Sequence, residues 1–303
     1  MIVLTGSSGV LGAALKSALE SAHGSVVALT SSDGDLRDAD ATMAIFERHR
    51  PKVIYHAAAR VHGIMGNQMF PAEIYLDNIR INTNVIEAAH RTGCEKFVAV
   101  STVAAYPGGL DLPMHEDAIW DGPPHGSEMF YAHAKRVMLA QLEAYKRQYG
   151  FDYAYALMTN LYGPHDRFDT AHGHVIPSLV AKFHQAATEN GSVSVWGSGR
   201  ARRDFLYSED AAAALLTIGA KGSGVFNVAS GETVPVRAVV DSLQHISQVG
   251  SVVWDADKPD GQLDRSYDVS RLRGLGFAPR HSLEDGLTAT YRWYAENYPN
   301  VRG

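Results

Sequence analysis

Short apolar runs alternate with longer amphipathic stretches through the first half of the chain. Ile2–Thr5, Val26–Thr30, Val53–Ala57, Phe97–Ser101 and Tyr153–Met158 have the length and composition of strands. Between them, Leu11–Ala22, Ala41–His49, Ala72–Arg91 and Phe130–Gln148 carry apolar residues at helical spacing. Strand and helix in alternation at these lengths predict a parallel sheet with helices on both faces. Right-handed crossovers make it a doubly wound, Rossmann-type α/β fold. After Tyr162 the rhythm changes. Residues 163–173 are rich in Gly, Pro, His and Asp and read as a loop. Helices are predicted over Ile176–Ala187, Asp210–Ile218, Val236–Ile246 and Leu283–Tyr298, and strands over Val193–Trp196 and Val225–Ala229. The expected organisation is a large unit over 1–163, with 205–229 returning to it, and a smaller C-terminal lobe built from 164–204 and 230–303.

Chemistry first enters at the turn after the opening strand, Thr5-Gly6-Ser7-Ser8-Gly9-Val10-Leu11-Gly12. Glycines spaced GxxGxxG between a strand and a helix let the backbone turn sharply. They also let a pyrophosphate approach the helix N-terminus, where free N–H groups and the helix dipole favour an anion. The motif is weak alone, but its place after a strand is the context it requires. The large unit is therefore read as a dinucleotide-binding domain, with Gly6, Ser8, Gly9, Val10, Leu11 and Gly12 against the cofactor. An NAD site places a carboxylate on the ribose, roughly 20 residues beyond the glycines. Here the second strand ends Leu29-Thr30-Ser31-Ser32, whose small hydroxyl residues leave room for a 2′-phosphate at Ser31. That favours NADPH, with NADH possible should Asp33 reach the ribose. Arg37 is the nearest candidate to clamp a phosphate, and Asp35-Leu36 fit the pair beside the adenine.

A YxxxK pair, Tyr131 and Lys135, falls on one face of a predicted helix. A phenol of pKa about 10 is a poor proton donor or acceptor near neutrality. A neighbouring ammonium favours the phenolate and lowers that value. The tuned phenol then protonates a carbonyl oxygen as hydride arrives, and Lys135 can also hold the nicotinamide ribose. At the end of the fourth strand, Thr102, with Ser101 as the alternative, is placed to hydrogen-bond the substrate carbonyl. Asn84 in the preceding helix reads as a structural or proton-relay residue.

With these motifs in place, further stretches carry a family resemblance: Ala57-Ala58-Ala59-Arg60-Val61-His62-Gly63-Ile64, Met158-Thr159-Asn160-Leu161-Tyr162-Gly163-Pro164-His165-Asp166, His174-Val175-Ile176-Pro177, Val195-Trp196-Gly197-Ser198-Gly199, Arg203-Asp204-Phe205-Leu206 and Lys258-Pro259-Asp260-Gly261. Over nearly its whole length the chain resembles the extended short-chain dehydrogenase/reductases, and more narrowly the GDP-L-fucose synthases, which epimerise and reduce GDP-4-keto-6-deoxy-mannose. The resemblance implies a catalytic triad of Thr102, Tyr131 and Lys135, and cofactor contacts at Ala57, Ala58 and Ala59. It implies a GDP-sugar pocket with Asn160, His174, Val175, Lys182, Trp196 and Arg203, and a homodimer formed through Ala72–Arg91 and Phe130–Gln148. An arginine suits a diphosphate because its planar fork binds two oxygens at once. Arg200 and Arg202 add charge to the same turn or form a solvated basic loop.

Two departures from the family alter this expectation. Its epimerisation uses a cysteine and a histidine. The histidine is present as His174, but the cysteine position falls on Ala104, which cannot move a proton. Arginines that the family places near the adenosine phosphate are replaced by Ser8 and Ser31. The first reading is therefore a simple C4 reductase of a GDP-linked 4-keto-6-deoxy hexose or heptose, serving bacterial capsule or lipopolysaccharide sugars. The second is a full fucose synthase with a substitute base, His62 or a water. A third, from another class, is a dinucleotide-binding sensor, which would have no use for a proton donor.

Bulk properties narrow the surroundings. Net charge −6 argues against a dedicated nucleic-acid binder. One cysteine, Cys94, excludes an intrachain disulfide and a cysteine-based metal cluster, and no metal site is expected. No apolar run has the length to span a bilayer, and the opening residues lack the basic and apolar regions of a signal peptide, so a cytoplasmic location is expected.

Overall fold

The computed structural model describes residues 1–61, 64–170, 173–255, 257 and 264–302. His62 and the Lys258–Gly261 stretch lie outside the described residues. The first half runs β1 (Ile2–Thr5), α1 (Val10–His23), β2 (Val27–Leu29), α2 (Ala39–His49), β3 (Val53–His56), α3 (Ile64–Met69), α4 (Pro71–Arg91), β4 (Lys96–Thr102), α5 (Met129–Tyr149) and β5 (Tyr153–Met158). There follow β6 (Asn160–Tyr162), α6 (Val175–Glu189), β7 (Val193–Trp196), β8 (Arg202–Arg203), β9 (Phe205–Tyr207), α7 (Ser208–Lys221) and β10 (Gly224–Val228). The chain continues through β11 (Val234–Pro235), α8 (Val236–Ser247), β12 (Val252–Asp255), α9 (Ser270–Gly274) and α10 (Leu283–Asn297).

Six parallel strands form the central sheet in the order β10-β5-β4-β3-β1-β2. Alternation within the strands divides their side chains between two layers. Val3, Ile54, Phe97, Ala99, Tyr155 and Leu157 pack with Phe46 of α2, Ile86 of α4 and Leu139 of α5. Leu4, Tyr55, Val98, Ala154 and Ala156 pack with Leu15 and Leu19 of α1 and with Ala211 and Leu215 of α7. Every residue of β5 is buried, as expected of a strand covered on both faces. A third cluster unites α6, α8, α10 and the short strands near them, through Phe183, Val195, Tyr207, Leu243 and Leu287.

Local chemistry sets the boundaries. The second strand stops at Leu29, one residue short of the sequence expectation, because Thr30 offers both its N–H and its hydroxyl to Asp33. Asp38 caps α2 by accepting from Ala41 N–H at 2.8 Å, and Ser282 and Asp285 form a reciprocal capping box on α10. The pairing of β12 beside β7 was not visible in the apolar pattern.

Candidate active site

The parallel strands end along one edge of the sheet at Thr5, Leu29, His56, Thr102, Met158 and Val228. Ligands of open α/β sheets bind outside these carboxyl ends. Gly6 leaves β1 with φ +72°, a conformation that glycine adopts without strain. A Cβ on Gly6 would lie 2.6 Å from Ala58 N, and one on Gly12 would lie 2.0 Å from the Gly6 carbonyl oxygen. The turn, the start of α1 and the Ala57-Ala58-Ala59 segment are thus pressed together. Ala57 N–H donates to Thr5 O and Ala58 N–H to Thr5 Oγ1, both at 3.2 Å. Gly9 is the N-cap of α1 and no side chain caps it, so the first N–H groups of the helix remain for an anion. Leu11 is buried in the core, Val10 is half-buried and Ser8 is exposed. This backbone cradle, which side chains at positions 6 and 12 would fill, fits a dinucleotide phosphate.

At the end of β2, Ser31 is exposed and uncharged. Asp33 Oδ2 accepts from Thr30 N–H at 2.7 Å and from Thr30 Oγ1 at 2.9 Å, which holds its carboxyl below the usual range. Its carboxylate is therefore engaged in the turn. Arg37, the expected phosphate clamp, is committed elsewhere: it grips Asp35 through Nε and Nη2 and reaches Asp77 at 3.2 Å. The same grip brings the Asp35 pKa down to about 2. Leu36 packs against the core, and its carbonyl accepts from Asn84 Nδ2 at 3.0 Å, a structural bond.

Tyr131 and Lys135 lie together on α5, and Lys135 reaches across to β4. Lys135 is 1% exposed and donates from Nζ to Val100 O at 2.8 Å, two residues before Thr102. Its ammonium stands 5.8 Å from the Tyr131 ring centre. Ser101 is turned inward, donating to Tyr155 OH at 2.6 Å, and Tyr155 OH donates to Lys135 O at 2.8 Å. Thr102 lies on the other side of the strand, half-buried, with Oγ1 accepting from Ala104 N–H at 3.1 Å. Ala104 is buried and carries no group that exchanges a proton. The Tyr131 pKa is raised here, not lowered as the YxxxK spacing predicts. Burial pushes Tyr131 above the ordinary phenol value, with Glu128 adding to the rise. Burial brings Lys135 down to about 7, which weakens the charge that would have stabilised a phenolate. Tyr131 is therefore a phenol at neutral pH, the form that donates a proton.

The expected substrate residues come from the second half. Asn160 starts β6, exposed, and donates from Nδ2 to Asp204 O at 3.0 Å. His174 stands at the N-cap position of α6 without a side-chain capping bond and is exposed, as is Val175 beside it. Lys182 on the same helix holds its ammonium 5.9 Å from the ring centre of Trp196, a residue that is 65% exposed. Arg203 sits on β8, paired with Val234, and burial lowers its pKa. Arg202 is used structurally, donating to the Thr233 carbonyl, whereas Arg200 bonds only its own turn at Ser198.

Comparison with known proteins decides the family. Residues 2–229 match the NAD dependent epimerase/dehydratase family. The chain belongs to that family. As a member it is an NAD(P)-dependent oxidoreductase of nucleotide sugars. It is 36% identical over 317 residues to the GDP-L-fucose synthase of Escherichia coli (strain K12), covering 100% of this chain and 98% of that one. The NADP-bound GDP-L-fucose synthetase of Naegleria fowleri superposes with TM-score 0.91 at 30% identity, over 100% of this chain and 96% of that one. A GDP-mannoheptose C4 reductase from Campylobacter jejuni with NADP bound superposes with TM-score 0.87 at 25% identity, covering 97% of each chain.

Several residues of this epimerase/dehydratase site escaped the sequence reading. His56 is fully buried between Thr5 and Asn82: Nδ1 lies 2.8 Å from Thr5 Oγ1 and Nε2 3.1 Å from Asn82 Oδ1. The amide oxygen only accepts, so the proton sits on Nε2. Burial, then the Lys135 charge, push His56 down to about 3, and it remains neutral. Asn82, not Asn84, points inward, and its Nδ2 is buried without a partner. A polar residue pair at a strand end and one helix turn was the available signal.

Asp166 is another. It is 6% exposed, with Oδ1 accepting from Arg167 N–H at 2.7 Å and Oδ2 without a partner. Burial raises its pKa to about 6, against the opposing charges of His174 and Arg302. A carboxyl whose pKa is raised in the fold contributes stability below its unfolded pKa of 3.8, and that stability is lost as pH rises through about 6. Asp166→Asn does not titrate. The melting temperature of the cofactor-free variant should therefore gain on the parent between about pH 4 and about pH 7. Thermal denaturation across that range checks it; a parent that gains on the variant instead would show that the carboxylate is the favoured form.

Proposed function

We propose that this chain reduces the C4 keto group of a GDP-linked 4-keto-6-deoxy sugar, hexose or heptose, without epimerising C3 or C5. The observation that carries this reading is the meeting of Tyr131 and Lys135 with the end of β4, beside a buried Ala104. NADPH is the reductant and supplies hydride when bound. Gly6, Gly9, Gly12 and Ala57–Ala59 form its cradle, with Ser31 at the ribose end. Thr102 Oγ1 holds the substrate carbonyl, and Tyr131, protonated at neutral pH, gives its proton to the oxygen as negative charge develops there. Lys135 holds the ribose and orients the phenol. Asn160, His174, Val175, Lys182, Trp196 and Arg203 bind the nucleotide sugar, with Trp196 offering an aromatic ring and Arg203 a planar fork for the diphosphate. We assign residues 1–163 with 205–229 to cofactor binding and 164–204 with 230–303 to the substrate.

The reading extends to a cytoplasmic homodimer that serves bacterial surface polysaccharide synthesis. Support for the dimer is the apolar surface shared by α4 and α5, where Tyr75, Leu76, Phe130 and Val137 are exposed. Among the described residues, no helix is long and apolar enough to cross a membrane.

A second reading, the bifunctional GDP-L-fucose synthase, is favoured by the likeness to the Escherichia coli enzyme. Incubation with GDP-4-keto-6-deoxy-mannose and NADPH in D2O separates the two by NMR of the product. The expected product is reduced at C4 and free of solvent deuterium at C3 and C5. Deuterium at both carbons with inverted configuration would establish the synthase. Oxidation of NADPH by the heptose analogue alone would assign the larger sugar.

A further inference from the structure

The segment after α10 crosses to the glycine turn and brings a charge with it. Arg302 O accepts from Phe168 N–H at 2.8 Å, which ties this segment to the loop between β6 and α6. The Phe168 ring in turn packs on Trp293 and Tyr294 of α10, with ring centres 5.9 Å and 4.7 Å apart. From this anchored backbone the guanidinium turns towards α1. Its Nη1 lies 3.8 Å from the point where a Cβ on Gly9 would stand. The carboxyl of Asp166, buried with one oxygen unpartnered, lies within reach of the same charge.

We propose that Arg302 binds the pyrophosphate of the dinucleotide at the N-terminus of α1. The assignment rests on the reading of NADPH as cofactor. The turn itself is Gly6-Ser7-Ser8-Gly9 and has no charged side chain. Ser7 is buried and spends its hydroxyl on Leu29 O, and Arg37 is held by Asp35 and Asp77. The helix end offers roughly half a positive charge, against the two negative charges of a dinucleotide diphosphate. A guanidinium beside Gly9 supplies most of the difference and can grip two phosphate oxygens at once. The absent side chain at Gly9 keeps the path between the guanidinium and the helix amides open. Arg302 stands at the helix end, not at the end of β2 where Ser31 would meet the 2′-phosphate, so its partner is the pyrophosphate. The residue comes from a part of the chain that otherwise builds the third apolar cluster, so it also links the substrate side of the molecule to the cofactor.

The test is a binding titration of the purified full chain with NADPH and with NADH, by nicotinamide fluorescence, for the parent, Arg302→Gln and Arg302→Lys. The glutamine variant should bind both cofactors about tenfold more weakly, the equivalent of about 1.4 kcal/mol. The lysine variant, which keeps the charge beside Asp166, should recover part of the loss and keep the parent's melting temperature without cofactor. Unchanged affinity in the glutamine variant overturns the assignment, and so does a loss confined to NADPH, which would place the guanidinium on the 2′-phosphate. A lowered cofactor-free melting temperature with normal affinity would make Arg302 a structural residue and overturn it as well. A parent that binds neither cofactor would overturn the cofactor reading itself, an outcome distinct from the others.

Discussion

Tyr131→Phe should lower the turnover of the keto sugar by about 10²- to 10⁴-fold, the usual contribution of a positioned general acid. The substitution removes one oxygen and leaves the ring, so the packing of α5 on the sheet is kept. Burial keeps the Tyr131 proton in place at neutral pH. The proton is thus held ready for an oxygen that becomes more basic than the phenolate as hydride arrives. Phenylalanine offers nothing in its place, and water must enter a half-buried site to do the work. The glycine cradle and Lys135 are untouched, so NADPH affinity should remain within about threefold of the parent. Steady-state kinetics with cofactor titration separates the two effects. Normal turnover in the variant would remove Tyr131 from the chemistry. A parallel loss of turnover and of cofactor affinity would make it a cofactor-binding residue.

The second large effect is expected at Gly12. A methyl group there would stand 2.0 Å from the Gly6 carbonyl oxygen and 2.8 Å from Ser7 Cα. Both obstacles are backbone, so no flexible side chain can swing aside. Either α1 moves off the sheet or the turn is pushed out, and both distort the phosphate cradle. Gly12→Ala should therefore destabilise the fold by about 3 kcal/mol, at the upper end of overpacking costs, and weaken NADPH binding by tenfold or more. Gly9→Ala is the control for stability alone, since its methyl also enters the path between Arg302 and the helix amides. Its new methyl meets Arg302 Nη1 at 3.8 Å, ordinary contact, so its stability cost should stay near about 1 kcal/mol. Melting temperatures and cofactor titrations of the two variants read both effects. Equal loss of stability in the two would refute the close approach of α1 to the turn.

The sheet was legible because its strands are short, apolar and separated by helices of clear period. The glycine turn and the YxxxK pair were legible because each needs only a local spacing. What depended on distant partners was not. Arg37 looked available from its position, yet Asp77, forty residues on, shares its guanidinium. Ser101 and Thr102 are equivalent as letters, and only the strand register turns the first to Tyr155 and leaves the second at the edge. The expected fall in the Tyr131 pKa rested on a neighbouring lysine ammonium. Burial of Lys135 and partial burial of Tyr131 reversed its direction. His56 and Asn82 gave only a polar residue at a strand end and another in the middle of a helix, and nothing local joins the two.

The place of β10 has a consequence for synthesis on the ribosome. This outer strand and α7, which covers part of one sheet face, come from residues 208–228, after the excursion that begins the third cluster. A nascent chain that has emerged only as far as residue 163 carries β1 to β5, but β5 has no outer neighbour. Its six residues, all buried in the finished protein, then present an unpaired apolar edge. The elements that shield it emerge only with about 65 further residues, several seconds later at the usual rate of elongation. Co-translational folding of the nucleotide half is therefore expected to wait for the rest of the chain. During that interval the nascent polypeptide is a natural client for chaperones that hold exposed strands.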